Sequence, residues 1–421
     1  MSGARAIQRC DHLGVPPYSD TPDGLYRGYL TPAYIASQRA VAEWMADAGM
    51  TTRIDAAGNL VGRYAGTAGG PALIIGSHLD SVRDAGRYDG PLGIMLGIEC
   101  VAALHDAGER LRFPVEIYAF GDEEGSRFPF AMLTSKAVAG LLDGSADEPV
   151  DQEGVRLFDA LANYGRNAEV LMPADFSGYR AARHAGAFAY LEAHIEQGPV
   201  LEAEDLPLGT VTGIAAQKRY GISISGKAGH AGTTAMGLRR DALAATAAMI
   251  LAAEELALRA GEGRVATVGV LAVGPGAANV VPGAARFTLD VRAATDRDCA
   301  ALSEELLRRC HAIAAERDVA MAVDVLHELP ASPCDPRLMD VMDQAIAAEG
   351  LAVRRLVSGA GHDAMILSAL CPTAMLFIRC REGISHNPAE SVTVEDAELA
   401  CRVMLRFIKN VEGLHDAPLL R

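Results

Sequence analysis

No stretch of the 421 residues reaches the roughly 18 consecutive apolar positions that a membrane span needs. The opening MSGARAIQRCDHLG lacks the apolar core of a secretion signal. Positive charge is scarce: 38 Lys and Arg stand against 54 Asp and Glu, a formal net charge of -16. Such a field repels phosphates, so neither nucleic acid nor an anionic membrane is an expected partner. A local basic pocket for a small anion is still compatible with it. No two cysteines form a CxxC pair. The eight thiols, at 10, 100, 299, 310, 334, 371, 380 and 401, lie mostly in apolar stretches. That is the placement of buried free thiols, which points to a reducing compartment and a cytoplasmic protein. Internal repeats and low-complexity tracts are also missing.

What the chain has is apolar residues, half of the total, and a length beyond one ordinary core. Two domains follow. TPAYIASQRAVAEWMADAG opens with a Thr31 cap and Pro32 and stops at Gly49, which predicts a helix. TTRIDAAGNLVGRYAG reads as two strands around Gly58-Asn59. PALIIGS and PVEIYAFGDEEG read as strands buried in a parallel sheet, with the helix GIMLGIECVAALHDAG between them. This alternation predicts an α/β domain with a mostly parallel sheet. After LEAHIEQGP the pattern changes. RYGISISG, the helix LRRDALAATAAMILAAEELALRAG, VATVGVLAVG as one strand, ARFTLDVRA, the helix DRDCAALSEELLRRCHAIAAERD and AMAVDVLHEL give the ferredoxin-like order β-α-β-β-α-β. The predicted division is a catalytic domain of 1–212 plus 331–421, interrupted by an inserted α+β domain of 213–330. The α/β pattern then resumes with VRRLVSGAGHDAMILSAL, PTAMLFIR and a last helix from about 394.

The chemistry concentrates where buried strands end. GSHLDSVRDAGRYDG places His78 at the carboxyl end of one strand, the edge where sites form in open α/β sheets. Asp80, two residues on, shares its face in an extended backbone and can orient the His78 ring. Asp89 follows a glycine-bearing loop that can fold back. GDEEG ends another strand on Glu123 and Glu124. Adjacent buried carboxylates are costly unless a cation is near or one is protonated. Because they point in different directions, one can bind metal while the other faces substrate. EAHIEQG brings His194 to a third strand end, and GISHNPAE offers His386 in a loop. Imidazole with carboxylate suits Zn, Mn or Co rather than Mg or Ca. Five ligands with one shared carboxylate make a two-metal site, with ions about 3.5–4 Å apart.

These residues stand within GSHLDSV, DGPLG, DEEGSRF, EAHIEQGPVLE, HAGTTAMGLRRDA, NVVPG, SGAGHDA and GISHNPAE, spread over almost the whole chain. The set resembles the M20 metallopeptidase family, in its hydantoinase/carbamoylase branch. That branch holds N-carbamoyl-L-amino acid hydrolases, allantoate amidohydrolases and β-ureidopropionases. The resemblance implies two divalent metal ions (Zn, Mn, Co or Ni). It puts His78, Asp89 and His194 on one metal, with Asp89 bridging to a second held by Glu124 and His386. It makes Glu123 the general base and Asp80 the residue that orients His78. It also implies a small ureido or carbamoyl acid as substrate, contacted by Gln197, His230, Asn279, Arg292, Gly361 and His362. Arg292 would clamp a carboxylate and His230 would polarise the scissile carbonyl. In the family such lid residues complete the neighbouring subunit's site, so a homodimer is implied, with the inserted domain as lid and dimerisation element. Ala235 departs from the pattern, since many relatives carry proline there. DGPLG and VTGIA are closer to carbamoylases. SRFPF, AAQKRY and SGAGHDA are closer to allantoate enzymes.

Two other readings compete. An M20 aminopeptidase or aminoacylase is disfavoured by His194, whose position resembles an Asp or Glu in those enzymes. A catalytically silent metal-binding protein is disfavoured by the presence of Glu123.

Overall fold

The computed structural model describes residues 1–142 and 148–415. Of the last of these, His415, the backbone alone is described. The chain divides into two compact units. One comprises 1–212, 334–356 and 361–421; the other comprises 213–333 and 357–360. The short segment 357–360 therefore packs with the second unit.

In the first unit the sheet runs in the order Thr51–Ile54, Leu60–Tyr64, Val115–Phe120, Ala72–His78, Ala187–Ile195, Thr373–Ile378, Leu208–Ile214. The four strands from Val115–Phe120 to Thr373–Ile378 are mutually parallel. Their neighbours on both sides are antiparallel. Ala72–His78, Val115–Phe120 and Thr373–Ile378 are buried at every position, which explains their largely apolar sequences: both faces are covered. The helix Pro91–Asp106 is apolar almost all round for the same reason. Parallel strands end at a common edge, so their carboxyl-terminal loops converge there. Ile75 pairs with Leu191. Three residues further along each strand, that register sets His78 level with His194.

An entry constraint lies just beyond. Gly90 precedes Pro91 with φ +85°, and a Cβ there would come within 2.5 Å of the His78 ring and carbonyl. Only glycine lets the loop carrying Asp89 turn into its helix so close to His78.

The second unit is antiparallel. Its sheet runs Leu271–Gly274, Ala284–Ala293, Ala216–Ser225, Ala320–Leu329. The helices Ala242–Ala260 and Asp296–Glu316 pack on it around Ile222, Met249, Phe287, Leu289 and Leu306. The strand expected over VATVGVLAVG is two strands, Arg264–Thr267 and Leu271–Gly274, each pairing with a different half of Ala284–Ala293. The break falls opposite Thr288, whose Oγ1 accepts the Val270 amide at 3.2 Å, and it includes Gly269. A side-chain bond replaces a ladder bond there, where glycine adds no cross-strand packing. All eight cysteines are free and buried. No described helix is long and apolar enough to cross a membrane.

Candidate active site

Five residues from four segments converge on Asp89 at the carboxyl edge of the parallel strands. His78 is the last residue of its strand, His194 the penultimate residue of its own, and Glu123 and Glu124 follow Phe120. His194 Nε2 lies 3.0 Å and His78 Nε2 3.5 Å from Asp89 Oδ1. On the other oxygen, His386 Nε2 lies 3.3 Å from Asp89 Oδ2 and 3.5 Å from Glu124 Oε1. Three donor sets each close within 4.8 Å: His78, Asp89 and His194; His78, Glu123 and Glu124; Asp89, Glu124 and His386. All are buried or nearly so except His386, half of whose side chain is exposed.

The tautomers test whether this set suits a cation. His78 Nδ1 lies 3.0 Å from the Asp80 carbonyl, and His194 Nδ1 2.9 Å from the Ile195 carbonyl. Carbonyls only accept, so each Nδ1 carries the hydrogen, and whenever the ring is neutral its bare Nε2 lone pair turns inward. Lone pairs then face a carboxylate, an arrangement that repels unless a cation or proton lies between. The buried Nε2 of His194, although 3.0 Å from Asp89, is out of line for a hydrogen bond and has no such partner among the described residues. The donor set fits divalent metal of the borderline-soft kind.

The protonation tendencies agree. Burial pushes the Asp89 carboxyl up, but the imidazoles of His194, His386 and His78 against it outweigh that and hold it well below the ordinary range. Burial, reinforced by Glu124 and Asp363, puts Glu123 well above the ordinary range despite His78. Burial pushes Glu124 up to about 7. The bond to Asp89 raises His386 to about 9. Without metal the cluster therefore holds protons in the space a cation fits. Both Glu124 and His386 have folded values above their unfolded ones. Each stabilises the metal-free fold fully below its unfolded value and loses that contribution as pH rises through about 7 and about 9 respectively. Metal binding gains over the same window, because its ligands must shed protons. The melting-temperature gap between metal-loaded and chelated protein should thus widen from about pH 6 to about pH 9. A gap that is flat or narrows over that range in scanning calorimetry would contradict this.

Asp80 corrects one expectation. Its carboxylate is 3.9 Å from His78 Nδ1; the ring is held by the Asp80 backbone oxygen instead. The strand ends at His78, so the face-sharing of an extended backbone no longer applies two residues later. The Asp80 carboxylate instead accepts the amides of Glu123 (3.2 Å) and Glu124 (3.3 Å) and so fixes the acidic pair. Gln197, at φ +55°, sits on Asp89: its Nε2 donates to Asp89 Oδ2 (3.0 Å) and Ser385 Oγ (2.9 Å). His362 is buried with its ring 4.4 Å from that of His194 and against Phe377. Gly361 precedes it beside Met132.

In the second unit, His230 and Asn279 come together. His230 pairs with Val280 in a short ladder, and the Asn279 carbonyl accepts the Ala231 amide. Ala235 holds φ -56°, the angle proline would fix, so the turn keeps its shape without one. Arg292 is anchored: its Nε donates to Asp290 Oδ1 at 2.8 Å and its Nη1 to the Gly359 carbonyl. Asp290 also takes Arg219 and Gln217. Two arginines on one carboxylate leave a net positive patch.

Several supporting residues escaped the sequence reading. Arg27 is wholly buried and donates to the Leu79 carbonyl, bracing the turn after His78. Ser385 Oγ donates to Asp89 Oδ2 at 2.7 Å. Glu390 accepts the backbone amide of Asp89. The last two lie inside GISHNPAE, whose polar residues around His386 were the available signal.

A two-unit α/β chain whose parallel-strand ends gather imidazoles and carboxylates around one shared aspartate has the architecture of a metal-dependent hydrolase. Residues 74–410 match peptidase family M20/M25/M40. The chain belongs to that family, in its hydantoinase/carbamoylase branch. It is 40% identical to a probable allantoate deiminase of Oryza sativa subsp. japonica, over 96% of this chain and 87% of that one. It is 39% identical to an N-carbamoyl-L-amino acid amidohydrolase of Geobacillus stearothermophilus, over 97% and 98%. The crystal structure of a hydantoinase/carbamoylase family amidase from Burkholderia multivorans superposes with TM-score 0.89 at 32% identity, covering 97% of this chain and 98% of that one.

Proposed function

We propose that the protein is a metal-dependent amidohydrolase that cleaves a non-peptide C–N bond of a small ureido acid. The carrying observation is the sharing of Asp89: one oxygen faces His78 and His194, the other His386 and, beyond it, Glu124. We assign two divalent ions to these two donor sets, from Zn, Mn, Co or Ni. When bound, such ions polarise a carbonyl and acidify water. Glu123, buried with a raised proton affinity, takes the proton of the attacking water and delivers it to the leaving nitrogen. Asp80 orients Glu123 through its backbone amide, and so keeps that carboxylate aimed.

Arg292, held by Asp290, binds the substrate carboxylate in this reading, with Gln197, His230, Asn279, Gly361 and His362 as further contacts. The substrate joins a carboxylate to a ureido or carbamoyl group. Allantoate and N-carbamoyl-L-amino acids both have this chemistry. The second unit is the lid and the homodimer contact in this proposal. Met236, Leu238, Leu251, Leu258, Val270 and Val325 are exposed apolar side chains on it, of the kind a partner subunit would cover. The cellular site we assign is the cytoplasm.

Ammonia release from a panel of allantoate, N-carbamoyl-L-amino acids and 3-ureidopropionate, with elemental analysis of the protein, tests the reading. Turnover of at least one, lost on chelation and regained with Mn, Co, Ni or Zn, is expected. Full activity in verified metal-free protein would end it. Arg292→Lys should raise KM roughly 10- to 100-fold with less effect on kcat, since lysine loses the planar two-point contact. An unchanged KM would remove Arg292 from carboxylate binding.

A further inference from the structure

We infer that Glu390 is a positioning residue that locks the backbone of Asp89 to the loop carrying His386, so that the Asp89–Glu124–His386 donor set assembles as one piece. The inference rests on the proposal that Asp89 and His386 are metal ligands.

Glu390 is only 5% exposed and reaches a segment 301 residues away. Its Oε1 accepts two consecutive amides, Tyr88 at 2.8 Å and Asp89 at 3.0 Å. Its Oε2 is buried and has no hydrogen-bond partner among the described residues. A buried carboxylate with one oxygen unpartnered is costly, and the two amides on Oε1 are what it satisfies in return. What the carboxylate adds is a fixed point for the peptide that carries Asp89. The chain around it is shaped for that point. At Gly86 a Cβ would stand 2.2 Å from Glu390 Cδ, so only glycine admits the carboxylate. Glu390 is itself held by a turn, its amide on the Asn387 carbonyl at 3.0 Å. From the start of the same loop, Ser385 grips Asp89 Oδ2. The 385–390 loop therefore holds Asp89 twice, by backbone and by side chain, while offering His386 between the two grips. His386 adopts φ +54°, a conformation non-glycine residues keep only when their surroundings impose it. If the Glu390 contact is lost, Asp89 and His386 are free to shift relative to each other, and that donor set loosens.

The test separates the acceptor from the charge. Glu390→Gln keeps an oxygen in place for the two amides. Glu390→Asp keeps the charge but withdraws the acceptor by one methylene. Mn²⁺ is titrated into chelated, dialysed protein, and kcat and KM are measured as Mn²⁺ is raised. Glu390→Asp is expected to bind Mn²⁺ roughly 10- to 100-fold more weakly, the usual effect of removing a residue behind a metal ligand. Its kcat should recover in excess Mn²⁺ while KM for the ureido acid stays unchanged. Glu390→Gln should bind within about threefold of wild type by the same reasoning. Should Glu390→Asp not fold, Gly86→Ala displaces the carboxylate without altering it and should weaken Mn²⁺ binding likewise. Wild-type Mn²⁺ affinity in Glu390→Asp or in Gly86→Ala would overturn the inference. So would a Gln variant as defective as the Asp variant, or a lower metal-free melting temperature with Mn²⁺ affinity unchanged, the mark of a merely structural role. Failure of the wild type to bind Mn²⁺ at all would instead strike the underlying metal assignment.

Discussion

Glu123→Gln should leave the protein folded and metal-loaded but reduce kcat by roughly 10²–10⁴-fold or more, about 3 to 5 kcal/mol of barrier. Gln is nearly isosteric and keeps the Asp80 contact, because that contact is to the backbone amide of residue 123. What it cannot do is carry a proton. The native carboxyl lies in a buried site beside Glu124 and Asp363, which raises its affinity for a proton toward what a group must have to accept from water and donate to nitrogen. Metal content by elemental analysis and single-turnover rate should therefore separate. A variant with both metals and near-normal kcat would show that another group moves the proton.

On the proposed two-metal assignment, Asp89→Asn should remove metal from both positions at once. Each Asp89 oxygen faces a different set of imidazoles, so an amide puts an N–H₂ group where one set expects a negative oxygen. Changes behind a ligand cost roughly 10- to 100-fold in affinity, and replacing the shared ligand itself should cost more than about 100-fold at each position. Activity should be lost in step with metal, and raising the metal concentration should restore little of it. The contrast with Glu123→Gln is diagnostic: one variant keeps metal and loses turnover, the other loses both. Two tightly held equivalents in Asp89→Asn would remove Asp89 as the shared ligand.

His194 also weighs on the peptidase alternative. Its Nε2 lies on the same Asp89 oxygen as that of His78 and its Nδ1 is committed to a backbone carbonyl, so Nε2 is the nitrogen it turns toward the cluster. A carboxylate there would add negative charge to a cluster already crowded with it.

The sequence by itself determined the parallel strands, because runs such as ALII and AMLFI are apolar on both faces of a strand. It determined the edge at which the site lies, because His78, Glu123 and His194 each come at the end of such a run. It determined the second unit's order of strands and helices from their periodicity, except that one expected strand is split into Arg264–Thr267 and Leu271–Gly274. The tertiary structure decided what crosses between segments. That His78 is held by a carbonyl and not by the Asp80 carboxylate depends on where the strand ends to within one residue. That Gln197 and Ser385 meet on Asp89, and that Glu390 holds Asp89's amide, depends on loops brought together across more than a hundred residues. That Arg292 is anchored by Asp290 follows from their shared strand face, but its bond to Gly359 does not. Periodicity reports which face of an element is dry. It carries no information about which polar atom of a distant loop a buried donor will find, because that pairing is set by close packing in three dimensions, one contact at a time.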